Sequence, residues 1–201
     1  MKNRFNIRIS FPNGLRADRM DEELIDLLKE AGTYRIHYAV ETASPRLQKL
    51  IRKNMDLNRL EEIVNYTADK GIMTFGEFML GFPTETEEEM KATLDYALHS
   101  RFNAAHFFYV NPYPGTKLSE KYLNIEGREQ ALEEMGYFNL KINLSAVPDE
   151  TLRGIMRECY RRFYFSPSRM WRAAHVVPLT LNAAWSLMAI TALAIRDKKT
   201  F

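Results

Sequence analysis

Four short apolar runs alternate with amphipathic stretches through the first 115 residues, and the alternation predicts the order β-α-β-α-α-β-α-β. Residues 6–11 put Ile7, Ile9 and Phe11 on one side and Arg8 and Ser10 on the other, the period of a strand with two unlike faces. Residues 21–31 read as a helix: acidic groups fill its first turn, Leu24, Leu27 and Leu28 form the apolar stripe, and Gly32 supplies the stop. The second strand, 34–39, sets Ile36, Tyr38 and Val40 in one phase and Arg35, His37, Ala39 and Glu41 in the other. Ser44 before Pro45 signals the start of a short helix to Lys53. A further helix is expected from Asn58, with Glu61 three residues on as in a capping box, to Gly71. Residues 72–81 form the third strand, and Thr86 with Glu89 makes a capping box for a helix over 87–99. The aromatic-rich fourth strand, 104–111, ends in Pro112-Tyr113-Pro114-Gly115-Thr116, which cannot continue a ladder.

The remainder is patterned differently. Residues 118–136 suggest one or two surface helices, and Phe138, Leu140, Ile142 and Leu144 alternate as a short strand over 137–144. A helix follows from Pro148 to Tyr164, broken by Ser166-Pro167. Residues 176–195 are uncharged over a length that suits a membrane span, but Pro178, Thr180, Asn182, Ser186 and Thr191 dilute them. A buried helix pair or an interfacial helix is the better reading. Arg161, Arg162, Arg169 and Arg172 upstream give the basic-then-apolar order of an interfacial anchor. The fold expected is α/β: a partial (β/α) TIM-like barrel of about four parallel strands with crossover helices over 1–117, then a mainly helical carboxyl-terminal extension over 118–201. A full eight-unit barrel needs about 250 residues. Four units are therefore a portion of a larger barrel or a small open sheet, and their edges need covering.

Composition narrows the class. Hydrophobic content of 46% and charged content of 27% describe a globular protein, and a net charge of +2 is too small to argue for a nucleic-acid partner. The single cysteine, Cys159, excludes an internal disulfide and fits a reducing compartment. No secretory apolar segment precedes the first strand, so a cytoplasmic place is expected, with membrane-surface contact through 176–195 as the peripheral variant.

In parallel α/β folds ligands sit at the carboxyl ends of the strands. The phase holding Arg8, Ser10, Arg35, His37 and Glu41 would face a barrel interior, where charges must be paired or bound to something. Glu41 suits a ligand ammonium or ribose hydroxyl, or equally a salt bridge to Arg8 or Arg35. Gly81 permits close backbone approach, Pro83 fixes the loop, and Met79 offers a soft apolar surface to a flat ring; plain core packing accounts for the same residues. His37 and His106 read as structural histidines. No zinc-like spacing, Gly-rich phosphate loop or Gly-x-Ser-x-Gly is present, and no metal ligand is expected.

Several segments stand in a definite order and spacing along the chain. They are Gly14-Leu15-Arg16-Ala17-Asp18 with Asp21-Glu22-Glu23-Leu24, Ala31-Gly32, and Tyr38-Ala39-Val40-Glu41-Thr42-Ala43-Ser44-Pro45-Arg46. Gly71-Ile72, Met79-Leu80-Gly81-Phe82-Pro83-Thr84-Glu85-Thr86, Asn111-Pro112-Tyr113-Pro114-Gly115-Thr116 and Arg161-Arg162-Phe163-Tyr164-Phe165-Ser166-Pro167 follow. Together, over residues 5–172, they resemble the radical S-adenosylmethionine (SAM) enzymes, most closely the class with an amino-terminal cobalamin-binding domain. The resemblance implies a partial (β/α)₆ barrel whose third to sixth strands this chain supplies. It implies SAM held by a 4Fe-4S cluster and cleaved reductively to a 5′-deoxyadenosyl radical. It assigns polar cofactor contact to Glu41, an adenine rest to Met79 and Gly81, and backbone contact near Phe108, Tyr109 and Val110; Arg16 and His37 are candidate substrate contacts.

The departures are equally specific. The family's CxxxCxxC loop is absent, and one thiol cannot hold a cluster. The loop after Gly81 lacks the family's Glu three residues on; Glu85 follows one later. The expectation is a part of a radical SAM iron–sulfur enzyme acting on a small-molecule substrate by radical modification or methylation, and not competent alone. The amino-terminal barrel units, the cluster ligands and any cobalamin domain are expected from elsewhere, in cis or in trans. The competing readings are a non-catalytic nucleotide-binding or assembly module, or a membrane-peripheral partner subunit.

Overall fold

The computed structural model describes residues 7–122, 138–166 and 169. β1 (Ile9–Leu15) leads through a 3-10 turn (Ala17–Arg19) into α1 (Glu22–Glu30). β2 (Thr33–Glu41) is followed by α2 (Pro45–Leu50) and α3 (Leu57–Asp69), and β3 (Met73–Leu80) by α4 (Glu87–His99). β4 (Ala104–Tyr109) precedes α5 (Lys117–Tyr122) and α6 (Asp149–Tyr164). The strands form one sheet in the order β1-β2-β3-β4, every neighbouring pair parallel. A sequential order with helical crossovers is that of a singly wound barrel segment; a doubly wound sheet would reverse direction.

One face of the sheet is the core. Ile36, Tyr38, Val40, Phe78, Leu80, Ala105 and Phe107 pack with Ile25, Leu60, Ile63, Leu94, Ala97 and Phe163 of the helices. The other phase of the same strands carries Arg35, His37, Phe75, Glu77, Met79, His106 and Phe108, and this is the inward, partly polar face.

Several local expectations are corrected. β1 lies at 9–15, not 6–11, and passes Pro12 with a register shift between Phe11 and Leu15, as an edge strand allows. Beyond Pro12 it crowds β2: a Cβ on Gly14 would stand 2.5 Å from that of Ala39, so only glycine fits. On α1 the Asp21 cap sets a phase that buries Ile25, while Leu24 and Leu27 are 39% and 54% exposed. α3 is capped by Asp56, whose carboxylate accepts from the N–H groups of Asn58 and Arg59; Asn58 is already inside the helix. Residues 138–147 are not a strand. Their backbone instead crosses the β3–α4 loop, with Thr84 N donating to Leu144 O at 3.0 Å and Ala146 N to Glu85 O at 2.9 Å.

The β4 edge of the sheet is closed by α6. The Tyr160 hydroxyl accepts from Phe107 N at 3.1 Å and donates to Phe107 O at 2.9 Å, and Tyr164 treats Ala105 in the same way at 3.1 and 2.6 Å. Each phenol thus replaces one rung of a missing strand, which blunts a sheet edge. Tyr160→Phe leaves the Phe107 N–H and C=O unsatisfied beneath the helix, and costs about 1–3 kcal/mol; chemical unfolding of the variant against the parent chain measures it.

Among the described residues no helix is long and apolar enough to cross a membrane. Residues 176–195 and Arg172 lie outside the described residues. Arg169 is no part of a lipid-facing basic cluster: it is 5% exposed, and its guanidinium donates to four backbone carbonyls at the end of α4.

Candidate active site

The carboxyl ends of β2 and β3 hold three residues in the left-handed region: Glu41 (φ 67°), Gly81 (φ 93°) and Thr84 (φ 62°). For Glu41 and Thr84 that conformation costs roughly 1–3 kcal/mol each, and such strain gathers where structure is held for a purpose. Hydrogen bonds hold it here. Gln48, buried on α2, donates to Val40 O at 3.0 Å and Thr42 O at 2.7 Å and accepts from Met55 N. Arg46 grips Glu89 at 2.9 and 2.6 Å and reaches Thr84 O at 2.9 Å, while Ser44 donates to Glu89 at 2.6 Å. The Arg46 fork, with help from Ser44 and the Thr86 N–H, pulls the Glu89 pKa down to about 2 despite some burial. Two loops 40 residues apart in sequence are thereby locked together.

An apolar shelf lies beside them. Leu47, Phe82 and Val110 form a small buried cluster, against which Met79, Ile51, Leu118 and Leu144 pack. Of the residues expected to meet a cofactor, the fold therefore brings Met79 and Val110 together and adds Phe82 from the loop. Tyr109 is different. It takes the opposite strand phase, so its side chain is buried in the helix-side core and is no part of the shelf cluster. The Phe108 ring lies beside His106 at 5.7 Å and Phe138 at 5.3 Å. A Cβ on Gly81 would meet Leu152 at 3.2 Å in a strained backbone.

Glu85 anchors the loop from below. It is fully buried, and one carboxylate oxygen accepts from Gly81 N at 2.6 Å and Phe82 N at 2.9 Å. Burial pushes its pKa up to about 7 even though those two N–H groups favour the charged form. A glutamate does therefore serve this turn, one position later than the family pattern puts it.

The polar candidates have partners that the sequence reading did not foresee. Glu41 accepts from Lys53 at 2.6 Å, and neither Arg8 nor Arg35 reaches it. Arg8 stacks over Tyr34 at 4.5 Å, and Arg35 donates to Ser10 at 2.9 Å. Arg16 forks onto Asp18 at 3.0 and 2.7 Å just beyond β1.

Below the shelf, His37, Glu77 and His106 meet on β2, β3 and β4. Glu77 and His106 are register partners, and His37 stacks on Phe75 at 4.3 Å. The Nδ1 of His37 bonds one Glu77 oxygen, and that of His106 lies 3.1 and 3.2 Å from the two oxygens. Burial works to raise the Glu77 pKa, but the hydrogen bonds from His106 and His37 outweigh it and the net direction is down. Glu77 escaped the sequence reading. Its signal was a lone charge in an otherwise apolar run, sharing a phase with Met79.

The fit to the implied cofactors divides. The shelf, with a glycine turn and a carboxylate at its rim, suits an adenosyl group carrying an amino acid. The cluster does not fit: Cys159 is buried in the helix-side core, where burial pushes its pKa far up, and no second thiol exists in the chain.

Residues 5–97 match the sequence model of the radical SAM superfamily. The cytidylyl-2-hydroxyethylphosphonate methyltransferase of Streptomyces wedmorensis is 32% identical over 178 residues, 81% of this chain and 33% of that protein. An uncharacterised methyltransferase of Pyrococcus horikoshii is 29% identical over 161 residues, 79% of this chain and 35% of that protein. A tRNA-2-methylthio-N(6)-dimethylallyladenosine synthase of Ruegeria is 31% identical over 57% of this chain and 27% of its own length. The chain thus spans about a third of the length of the curated relatives it matches. Among solved structures, Escherichia coli coproporphyrinogen III oxidase, a radical SAM enzyme, shares the fold over 75% of this chain and 30% of that one, at a TM-score of 0.54 and 14% identity. Residues 5–97, on strands that run in the barrel's order, thus belong to the radical SAM superfamily.

Proposed function

We propose that this chain is the carboxyl-side part of a radical SAM catalytic barrel, working within a larger iron–sulfur enzyme that modifies or methylates a small-molecule substrate. The observation that carries the reading is the assembly of Met79, Phe82 and Val110 at the strand ends, beside left-handed Gly81 and Glu41, in a chain whose residues 5–97 match the family. Bound SAM supplies an adenosyl group for radical chemistry once an electron reaches its sulfonium. The residues of this chain do the holding. Met79 and Val110 offer an apolar rest, Gly81 brings backbone close, and the Glu41–Lys53 pair presents a charged rim. The cluster ligands belong to the amino-terminal barrel units, in cis or in trans, and their strands add at the β1 edge, since β4 is closed by Tyr160 and Tyr164. Methyl transfer is supported by the names of the Streptomyces and Pyrococcus relatives, and a small-molecule substrate by the first of them and by the net charge of +2. Cobalamin, on a separate domain, rests on the motif order alone. A cytoplasmic place fits a chain with one buried thiol.

Calorimetric titration of the full chain with S-adenosylhomocysteine gives saturable heat, and Met79→Asp, which sets a charge in the apolar cluster, weakens binding more than about tenfold. Absence of saturable heat with SAM, S-adenosylhomocysteine and adenosine alike overturns the shelf. The enzyme reading is tested separately by supplying a three-cysteine barrel segment from the same gene or a partner gene. Iron and sulfide then bind and, with dithionite as the electron donor, SAM is cleaved reductively; if neither gene encodes such a segment, the reading fails.

A further inference from the structure

The inward face of the sheet holds a donor set that the shelf does not use. His37, Glu77 and His106 stand on three successive strands, and one ligand atom from each lies within 4.8 Å of the others. Two imidazoles converge on one carboxylate: His37 Nδ1 bonds one Glu77 oxygen, and His106 Nδ1 lies 3.1 and 3.2 Å from the two oxygens. Donors in a shell of about 2.1 Å radius sit roughly 3–3.5 Å from one another, so a small inward rotation closes the set. The setting favours a ligand. His37 is 5% exposed and turns its Nδ1 toward Glu77, so the ligand edge of its ring is shielded from bulk water. His106 is 35% exposed on its side chain, which leaves an approach from the interior.

The geometry points to a mononuclear site for a divalent first-row transition ion, held by one nitrogen each of His37 and His106 and a carboxylate oxygen of Glu77. Two imidazoles and one carboxylate are the donor set that suits Zn²⁺, Fe²⁺ or Co²⁺, and three protein ligands leave coordination positions open. The open positions face the barrel interior, below the shelf. An ion there would bind an oxygen of the substrate and polarise it. Phe75, stacked on His37, and Ser10-bound Arg35 fix the wall around the set. The ligands lie 29 and 40 residues apart in sequence, on separate strands, so the site arises only when the parallel register forms.

The test uses the full chain, freed of metal by chelator dialysis and titrated with Co²⁺, with d–d absorbance as the readout. One equivalent binds, and Zn²⁺ displaces it. Glu77→Gln and His106→Gln each weaken binding more than about tenfold, and Cys159→Ser leaves it unchanged. Circular dichroism confirms that each variant is folded; the partly exposed His106 is the substitution least able to disturb the core. No saturable Co²⁺ or Zn²⁺ binding, or binding retained in both folded ligand variants, overturns the site and leaves a hydrogen-bonded His–Glu–His rung. No adenosyl compound enters this experiment, so its failure is separable from failure of the shelf.

Discussion

Replacing Arg169 by Met lowers the unfolding free energy by about 3–5 kcal/mol, the largest loss expected from one substitution in the described residues. The guanidinium reaches Phe102 O at 2.6 Å through one nitrogen, and Ala97 O, Leu98 O and Ser100 O at 2.7, 2.6 and 3.0 Å through the other. These carbonyls end α4 and begin the approach to β4. The last carbonyls of a helix have no internal partner, and a cation there also meets the negative end of the helix dipole. The group is sealed by Phe163, whose ring lies 4.0 Å beneath it. Methionine keeps much of the volume but takes the guanidinium donor from all four carbonyls; Ala97 O keeps the Ser100 hydroxyl at 2.7 Å, while those of Leu98, Ser100 and Phe102 lose this donor. Arg169→Lys restores charge but gathers its donors on one atom, so it recovers only part of the loss. Urea unfolding of the three proteins ranks them parent, Lys, Met. A loss under about 1 kcal/mol for the Met variant means that water can satisfy these carbonyls and that the site is not dry.

The second large effect is a dependence on pH through Glu85. Its carboxyl has a pKa pushed up to about 7 in the folded chain, against 4.5 when unconstrained. A raised acid binds its proton more tightly in the folded state. Its contribution to stability is therefore complete below 4.5 and is lost as pH rises through 7. Between about pH 5 and 8 the parent loses roughly 2–3 kcal/mol relative to Glu85→Gln, which cannot titrate. The amide oxygen can still accept from Gly81 and Phe82, so the variant folds and matches or exceeds the parent at the alkaline end. Parallel stability profiles of parent and variant across that range would show that the carboxyl does not titrate there. The effect bears on the shelf, because the group that holds the Gly81 turn is the one that changes charge.

Local chemistry was largely legible in the chain. Strand alternation, the Ser44–Pro45 start and the Thr86–Glu89 box all correspond to observed elements, because each depends on neighbours a few residues away. Where two caps compete, the local pattern is ambiguous: Asn58 with Glu61 resembles a capping box, but the Asp56 carboxylate two residues earlier takes the N–H groups of Asn58 and Arg59. The alternation of 138–144 likewise imitated a strand. Its apolar residues face the core and the shelf cluster through Leu140 and Leu144, and its backbone bonds to a loop instead of a ladder.

What the sequence determined by itself was the order of units, the parallel sheet they imply, and the turns that follow β2 and β3. Periodicity and turn chemistry are properties of adjacent residues, and they survive without knowledge of the fold. Only the tertiary structure decided the partners: Lys53 for Glu41, Asp18 for Arg16, Glu85 for the Gly81 turn, four carbonyls for Arg169, and one carboxylate shared by His37 and His106. Several of these join groups 29 to 72 residues apart. Strand register and helix docking set such distances to within an ångström, and no local pattern encodes them.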